Sequence, residues 1–282
     1  MRQGKPSRTA EFVAFNRALG TLAPQVPGFY DPFAFHFLPA RWQRRVEQAR
    51  ASLERGSSTS PYPFWQRAIG IFNQFRTVIL DRAVTSGPVP EQLVILGAGL
   101  DSRAWRLDAL KDSVVFEVDH PASQAWKRER SAVPYKAKSV HFVALDFQRD
   151  QLEPLIKSAG FDPARPTFWL WEGVTMYLRP EEVSTNLGAF AALSAPGSRI
   201  ALTYLRKEHE RVPRSLFLAL MGEPVRSAFA PNAITHLTRS HGWRLISDTN
   251  IEDWLKEIPG LKLRRRQIGL QWLESIWVGA LS

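Results

Sequence analysis

Apolar residues recur at three- and four-residue intervals near the start of the chain, at Phe12, Val13, Leu19 and Leu22 and again at Phe64, Ile69, Phe72 and Val78. This is the spacing of amphipathic helices. Pro24, Pro27, Pro32 and Pro39 cut the stretch between them into short pieces, and Gly56-Ser57-Ser58-Thr59-Ser60-Pro61 reads as a loop. Residues 1–90 are therefore expected to form a helical cap. From position 92 the pattern changes to short apolar runs separated by helical stretches, and that alternation predicts an α/β unit built on a mostly parallel sheet.

The runs that read as strands cover residues 92–96, 114–118, 140–144, 167–171 and 198–204, with a helix over about 181–193 ahead of the last. A stretch without strand character follows from 206 to 229, an insertion after the fifth strand. A helix near 234–240 and two further strands, 243–248 and 274–280, complete the pattern. Residues 91–282 are expected to form one compact unit with the cap, and no internal repeat or low-complexity tract interrupts them.

Of the 282 residues, 44% are hydrophobic and 23% charged, the balance of an ordinary globular protein with ample core material. No run of about eighteen apolar residues is present, so no membrane span is expected. The first residues are basic but lack an apolar segment behind them, so a cytoplasmic location is expected. The chain has no cysteine, which excludes disulfides, thiolate nucleophiles and cysteine-based metal sites. His36, His120, His141, His209, His236 and His241 show no metal-ligand spacing, and no metal is expected. The net charge of +10 is dispersed, its densest cluster being Lys262 with Arg264, Arg265 and Arg266. A solvated loop accounts for that cluster, and nucleic acid is not the expected partner.

The first predicted strand runs into Gly97-Ala98-Gly99-Leu100-Asp101-Ser102-Arg103. Glycines at the end of a buried strand let the backbone turn sharply and let a nucleotide-like ligand approach the main chain, although a plain strand–helix turn has the same look. A dinucleotide loop would place a third glycine where Ser102 stands. About twenty residues on, the second strand ends in Phe116-Glu117-Val118-Asp119-His120-Pro121, with Glu117 and Asp119 on one face where a ribose diol would be held. The alternative there is an acid capping the next helix. Asp146 and Phe147 follow the third strand, an acid and a ring suited to an adenine or an ordinary turn. Glu172 follows the apolar fourth strand, where an ionised acid needs a partner: a ligand's ammonium or an internal salt bridge.

Taken together, Asp31-Pro32, Arg76-Thr77, LGAGLDSRAWRL at 96–107, FEVDHPASQAWK at 116–127, Leu145-Asp146, WEGVTMYL at 171–178 and Gly222-Glu223-Pro224 resemble the leucine carboxyl methyltransferase family, particularly its bacterial branch. The resemblance implies a class I methyltransferase sheet, five parallel strands closed by an antiparallel pair, and S-adenosyl-L-methionine as cofactor. It implies that Arg76 pairs with the cofactor carboxylate, that Gly97, Ala98 and Gly99 face its methionine part, and that Asp119, with Glu117 nearby, binds the ribose. Asp146 and Phe147 would hold the adenine and Glu172 would lie near the methionyl amine. Arg17 is a further candidate, from a segment similar to the family's N-terminal basic pair, although Asn16 before it is not basic. Ser102 stands where threonine is usual and keeps the hydroxyl.

The expected reaction is O-methylation of a carboxylate or hydroxyl on a small, aromatic or polyketide-like acceptor bound by the cap and the insertion, where Arg206, Lys207, Arg211 and Arg214 could meet an acidic compound. A carboxylate nucleophile needs no base, whereas a hydroxyl does, and Tyr204 and His209 are the candidates. Competing readings are methylation of a protein C-terminal carboxylate, a nicotinamide-dependent oxidoreductase, which leaves Asp146 and Glu172 unexplained, and a non-catalytic cofactor- or RNA-binding protein.

Overall fold

The computed structural model describes residues 7–56, 64–131, 133–147, 149–207, 224–257 and 274–282. Four helices come first: α1 (Arg8–Leu22), whose N-terminus is capped by the Ser7 hydroxyl accepting from the Ala10 N–H, the short α2 (Ala34–Phe37), α3 (Ala40–Glu54) and α4 (Phe64–Thr85). Then β1 (Gln92–Leu96), α5 (Arg103–Arg106), β2 (Val114–Asp119), α6 (Pro121–Glu129), β3 (Ser139–Ala144), α7 (Leu152–Ser158), β4 (Thr167–Trp171), α8 (Pro180–Ala192) and β5 (Arg199–Leu205) alternate. The chain closes with α9 (Pro231–Ser240), β6 (Trp243–Asn250), α10 (Ile251–Glu257) and β7 (Glu274–Leu281).

The strands form one seven-stranded sheet in the order β3-β2-β1-β4-β5-β7-β6. The first five pair in parallel, and β7 inserts antiparallel between β5 and β6. β1 and β4 are buried along their whole length, as strands covered on both faces must be. Their side chains alternate between two cores. Leu93, Ile95, Phe168 and Leu170 pack with the N-terminal helices, whereas Val94, Leu96, Trp169 and Trp171 pack with α7, α8 and α9 through Ile156, Leu187 and Ile234.

Leu80 and Val84 of α4 share the first core with β1 and β4, so this helix is part of the layer covering the sheet as well as of the N-terminal segment. The seven strands occupy the positions that the apolar pattern marks, with ends moved by one or two residues. The helix α10 has no counterpart in the sequence reading. Among the described residues, no helix is long and apolar enough to cross a membrane, and no group of three or more potential ligands could hold a metal ion.

Candidate functional site

All five parallel strands point their carboxyl ends the same way, and the candidate residues collect there because the chain order 3-2-1-4-5 leaves a crevice at the β1/β4 crossover. After Leu96 the backbone turns through Gly97, with φ +65°, and Gly99, with φ +49°. The N–H groups of Gly97 and Ala98 both donate to the Val118 carbonyl, at 2.8 and 3.1 Å, which ties the turn to β2. A Cβ on Gly97 would run into Val174 Cγ2. Gly97→Ala thus combines a left-handed backbone with an overlap and is expected to cost about 1–3 kcal/mol. Thermal melting checks it, and an unchanged midpoint contradicts it.

Asp119, the last residue of β2, reaches back across this turn. Its Oδ2 accepts the Gly99 N–H and its Oδ1 the His120 N–H, at 2.5 Å. Burial raises its pKa against the pull of those two N–H groups. The cap of the next helix is His120, whose Nδ1 accepts from the Ala122 N–H, so Asp119 is left to the turn. Each carboxylate oxygen retains acceptor capacity for a hydroxyl pair. Because β2 and β3 pair with Asp119 opposite Ala144, Asp146 stands at the neighbouring strand end. The Asp146 N–H donates to Asp150 Oδ2 at 2.8 Å, and Phe147 is half-buried against the core.

Glu117 is placed differently from the expectation of a ribose contact. It is buried inside the sheet layer, with Oε2 2.6 Å from Lys127 Nζ and Oε1 without a hydrogen-bond partner. Burial pushes its pKa up to about 7 despite the Lys127 charge. The Lys127 ammonium lies 4.8 Å from the Trp105 ring centroid and 5.4 Å from that of Phe37, so the pair fastens α6 to the sheet and to α2. The geometry gives Glu117 a structural role, because its carboxylate is already taken up inside.

Glu172, just past β4, is gripped from two sides, by Arg76 Nε at 2.8 Å and Arg103 Nη1 at 2.9 Å. Burial alone would push its pKa up, but Arg103 and Arg76 together outweigh that and hold it below the ordinary carboxylate value. Arg76 also gives Nη1 to Glu274 of β7, at 3.0 and 3.3 Å to the two oxygens. Among the described residues, its two chain neighbours aside, no atom lies within 4 Å of where a Cβ on Gly173 would sit, so none of them crowds the backbone beside Glu172. Arg103 further bonds Asp81 at 2.8 Å and Asp101, and Arg106 holds Asp81 at 2.6 and 2.8 Å. From α1, Arg17 donates to the Leu100 carbonyl at 2.6 Å and lies 3.3 Å from Asp31.

Asp101 ties the stability of the cluster to acid pH. Burial pushes its pKa up, yet Arg103, Arg17 and Lys127 bring it down to about 2. A carboxyl with a depressed folded pKa contributes stability that is complete above its unfolded value, about 4, and is lost as pH falls towards 2. That contribution is about 2 kcal/mol. A pH series of melting midpoints should show Asp101→Asn with a shallower acid-side fall than wild type; parallel curves would contradict the assignment.

Tyr204 faces the opposite core from the N-terminal helices, and its hydroxyl donates to Asp248 at 2.7 Å. Burial, and then the Asp248 charge, raise its pKa. The expectation that Tyr204 serves as a base near the cap is therefore corrected: the β5 alternation turns this ring away. His209, Arg211, Arg214, Gly222, Glu223, Lys262, Arg264, Arg265 and Arg266 lie outside the described residues. The sequence reading assigned no role to Asp81, Asp101, Arg103 or Glu274. The quoted motif at 96–107 contains Asp101 and Arg103, so a hint was present, but no local signal joins Glu274 to Arg76.

The strand order and the site at the carboxyl ends define the class I methyltransferase fold. A crystal structure from Thermobifida fusca described as "a putative methyltransferase" superposes with a TM-score of 0.59 at 17% identity, covering 100% of this chain and 97% of that one. The model of the leucine carboxyl methyltransferase family matches residues 10–191, and the chain belongs to that family. A relative from Mycobacterium tuberculosis, named "Putative S-adenosyl-L-methionine-dependent methyltransferase", is 37% identical over 210 residues, 72% of this chain and 66% of its own length. A Streptomyces coelicolor relative with the same description is 37% identical over 212 residues, 71% of this chain and 66% of its own length. The matched stretch thus spans just under two thirds of these relatives.

Proposed function

We propose that the protein is an S-adenosylmethionine-dependent O-methyltransferase acting on a carboxylate or hydroxyl of a small acceptor. The observation that carries the reading is the convergence, at adjacent strand ends of this family's fold, of the Gly97–Gly99 turn, Asp119 bonded across it, and an ionised Glu172 next to Gly173, which no described residue beyond its chain neighbours crowds. The residues fit the cofactor. Asp119 would take the ribose hydroxyls, Asp146 and Phe147 the adenine, and the Gly97-Ala98-Gly99 main chain the methionine part. Arg76 would take the carboxylate, because Glu172 and Glu274 occupy only its Nε and Nη1, and Glu172 the ammonium.

When bound, S-adenosylmethionine supplies an electrophilic methyl group whose C–S electron pair stays with sulfur as the acceptor oxygen forms the new bond. What the protein adds is positioning and exclusion of water. Ala10 of α1 packs over Gly99, where a Cβ would lie 3.0 Å from its own, so the N-terminal helix covers the turn. The fold and the aromatic-rich composition support a small aromatic or polyketide-like acid. Transfer of labelled methyl groups to a panel of small acids and phenols tests this reading. Methylation of a protein C-terminal carboxylate with no small acid turned over would replace the acceptor assignment.

A further inference from the structure

Along α4, Asn73, Thr77, Leu80 and Val84 recur at helical spacing and so share one stripe. Leu80 and Val84 lie on the sheet, in the core shared with β1 and β4. By Arg76 the helix has reached the level of the strand ends, because that guanidinium meets Glu172 just past β4 and Glu274 at the start of the antiparallel β7. Asn73 lies a further turn-fraction of about 4.5 Å towards the helix N-terminus. The stripe that covers the sheet therefore carries the Asn73 side chain past the carboxyl ends of the strands, over the crevice of the Gly97–Gly99 turn. Both flanks of this stretch are closed. Gln74 lies against Gly20 of α1 and accepts the N–H groups of Gln25 and Val26 at 2.8 and 3.1 Å. Phe72 and Phe75 pack on Trp254 of α10, with ring centroids 6.0 and 6.4 Å away.

Asn73 is 3% exposed, and its Nδ2 has no hydrogen-bond partner among the described residues. The Thr77 hydroxyl donates to the Asn73 backbone carbonyl at 2.7 Å and leaves the side chain alone, and the Asn16 amide on α1 is turned back to the Phe12 carbonyl at 2.8 Å. A buried donor without an acceptor is destabilising, and Gln74 beside it shows what a structural amide on this helix does instead. We propose that the Asn73 carboxamide is a contact for the methyl acceptor: Nδ2 donates to an acceptor oxygen and holds the acceptor over the methyl group delivered at the glycine turn. This inference rests on the functional reading above. An amide neither takes up nor releases a proton near neutral pH, so Asn73 binds and orients and is no base. What it fixes is the line of approach of the oxygen to the breaking C–S bond. A hydrogen bond to an ionised oxygen contributes about tenfold or more in affinity.

The experiment pairs labelled-methyl transfer to a panel of benzoates and phenols with calorimetric titration of S-adenosylmethionine, in wild type, Asn73→Leu and Asn73→Asp, and with melting curves of each protein alone. Leucine branches at the same carbon and carries no polar atom, whereas aspartate keeps the outline and loses the donor. Both variants should raise the KM of the best acceptor in the panel at least about tenfold, with S-adenosylmethionine weakened by no more than about threefold. Asn73→Leu should melt near wild type, because the amide it removes is unpaired. A midpoint lowered by more than about 5 °C in both variants would assign the amide to the fold and overturn the proposal. An equal loss of S-adenosylmethionine and acceptor affinity would assign it to the cofactor and overturn it too. If Asn73→Leu shows no folding transition, Asn73→Asp carries the test, and an unchanged KM there overturns the proposal. A wild type that methylates no member of the panel defeats the functional reading and this inference together, whereas wild-type turnover with unchanged KM in the variants defeats this inference alone.

Discussion

Arg103→Ala should destabilise the protein by about 3–5 kcal/mol, because it strips three buried or half-buried carboxylates of a shared partner, leaving Asp101 without its ion pair and Asp81 and Glu172 with only Arg106 and Arg76. The side chain is fully buried and bonds Asp81 from α4, Asp101 from the turn and Glu172 from β4. A domain with about 5–15 kcal/mol in total would lose a large fraction of its stability. Arg103→Lys should recover only a small part of the loss, since a single ammonium cannot span three acids in the planar arrangement of a guanidinium. Equilibrium urea unfolding measures both, and a loss below about 1 kcal/mol for the alanine variant would show that the cluster relaxes around water instead.

Asp119→Ala is expected to weaken S-adenosylmethionine binding by about a hundredfold, close to 3 kcal/mol, since charge-assisted hydrogen bonds to a ligand are among the stronger polar contacts. Part of that loss comes from the turn, because the Gly99 N–H loses its acceptor. Asp119→Asn separates the two effects: it keeps an acceptor for Gly99 and removes the charge. An asparagine variant that melts near wild type yet binds at least tenfold more weakly is the expected result of calorimetry paired with melting. Wild-type affinity in the alanine variant would remove Asp119 from the site.

Much of the sheet is visible in the sequence because both of its faces are covered. Strands such as Leu-Val-Ile-Leu at 93–96 and Phe-Trp-Leu-Trp at 168–171 must be apolar on every side, and such runs stand out from their neighbours. The turn and Asp119 are legible for a similar reason, since they sit within a few residues of a strand end. The ionic cluster is not, because apart from the local Arg103–Asp101 contact its ion pairs join residues from 14 to 198 positions apart, and charged side chains in sequence look alike whether solvated or buried. Nothing in the sequence marks Arg103 and Arg106 as buried, yet α5 is only four residues long and both guanidiniums turn inward. Glu117 and Tyr204 fail in a related way. Alternation gives the face of a strand that a residue occupies, but which face the ligand uses depends on helices packed from elsewhere.

The position of β7 has a consequence for how the protein is made. This strand comes after the other six in chain order, yet it lies inside the sheet between β5 and β6, and its first residue supplies a partner for Arg76 on α4. A growing chain that has not reached residue 274 leaves the β5 edge open and one side of the Arg76 guanidinium without its acid. Contacts this distant in sequence form late and slowly. The exposed β5 edge is also a template for unwanted pairing. Completion of the Arg76 ion pairs and sealing of the sheet are therefore one event, which waits for residues 274–281, and a nascent chain has neither before then.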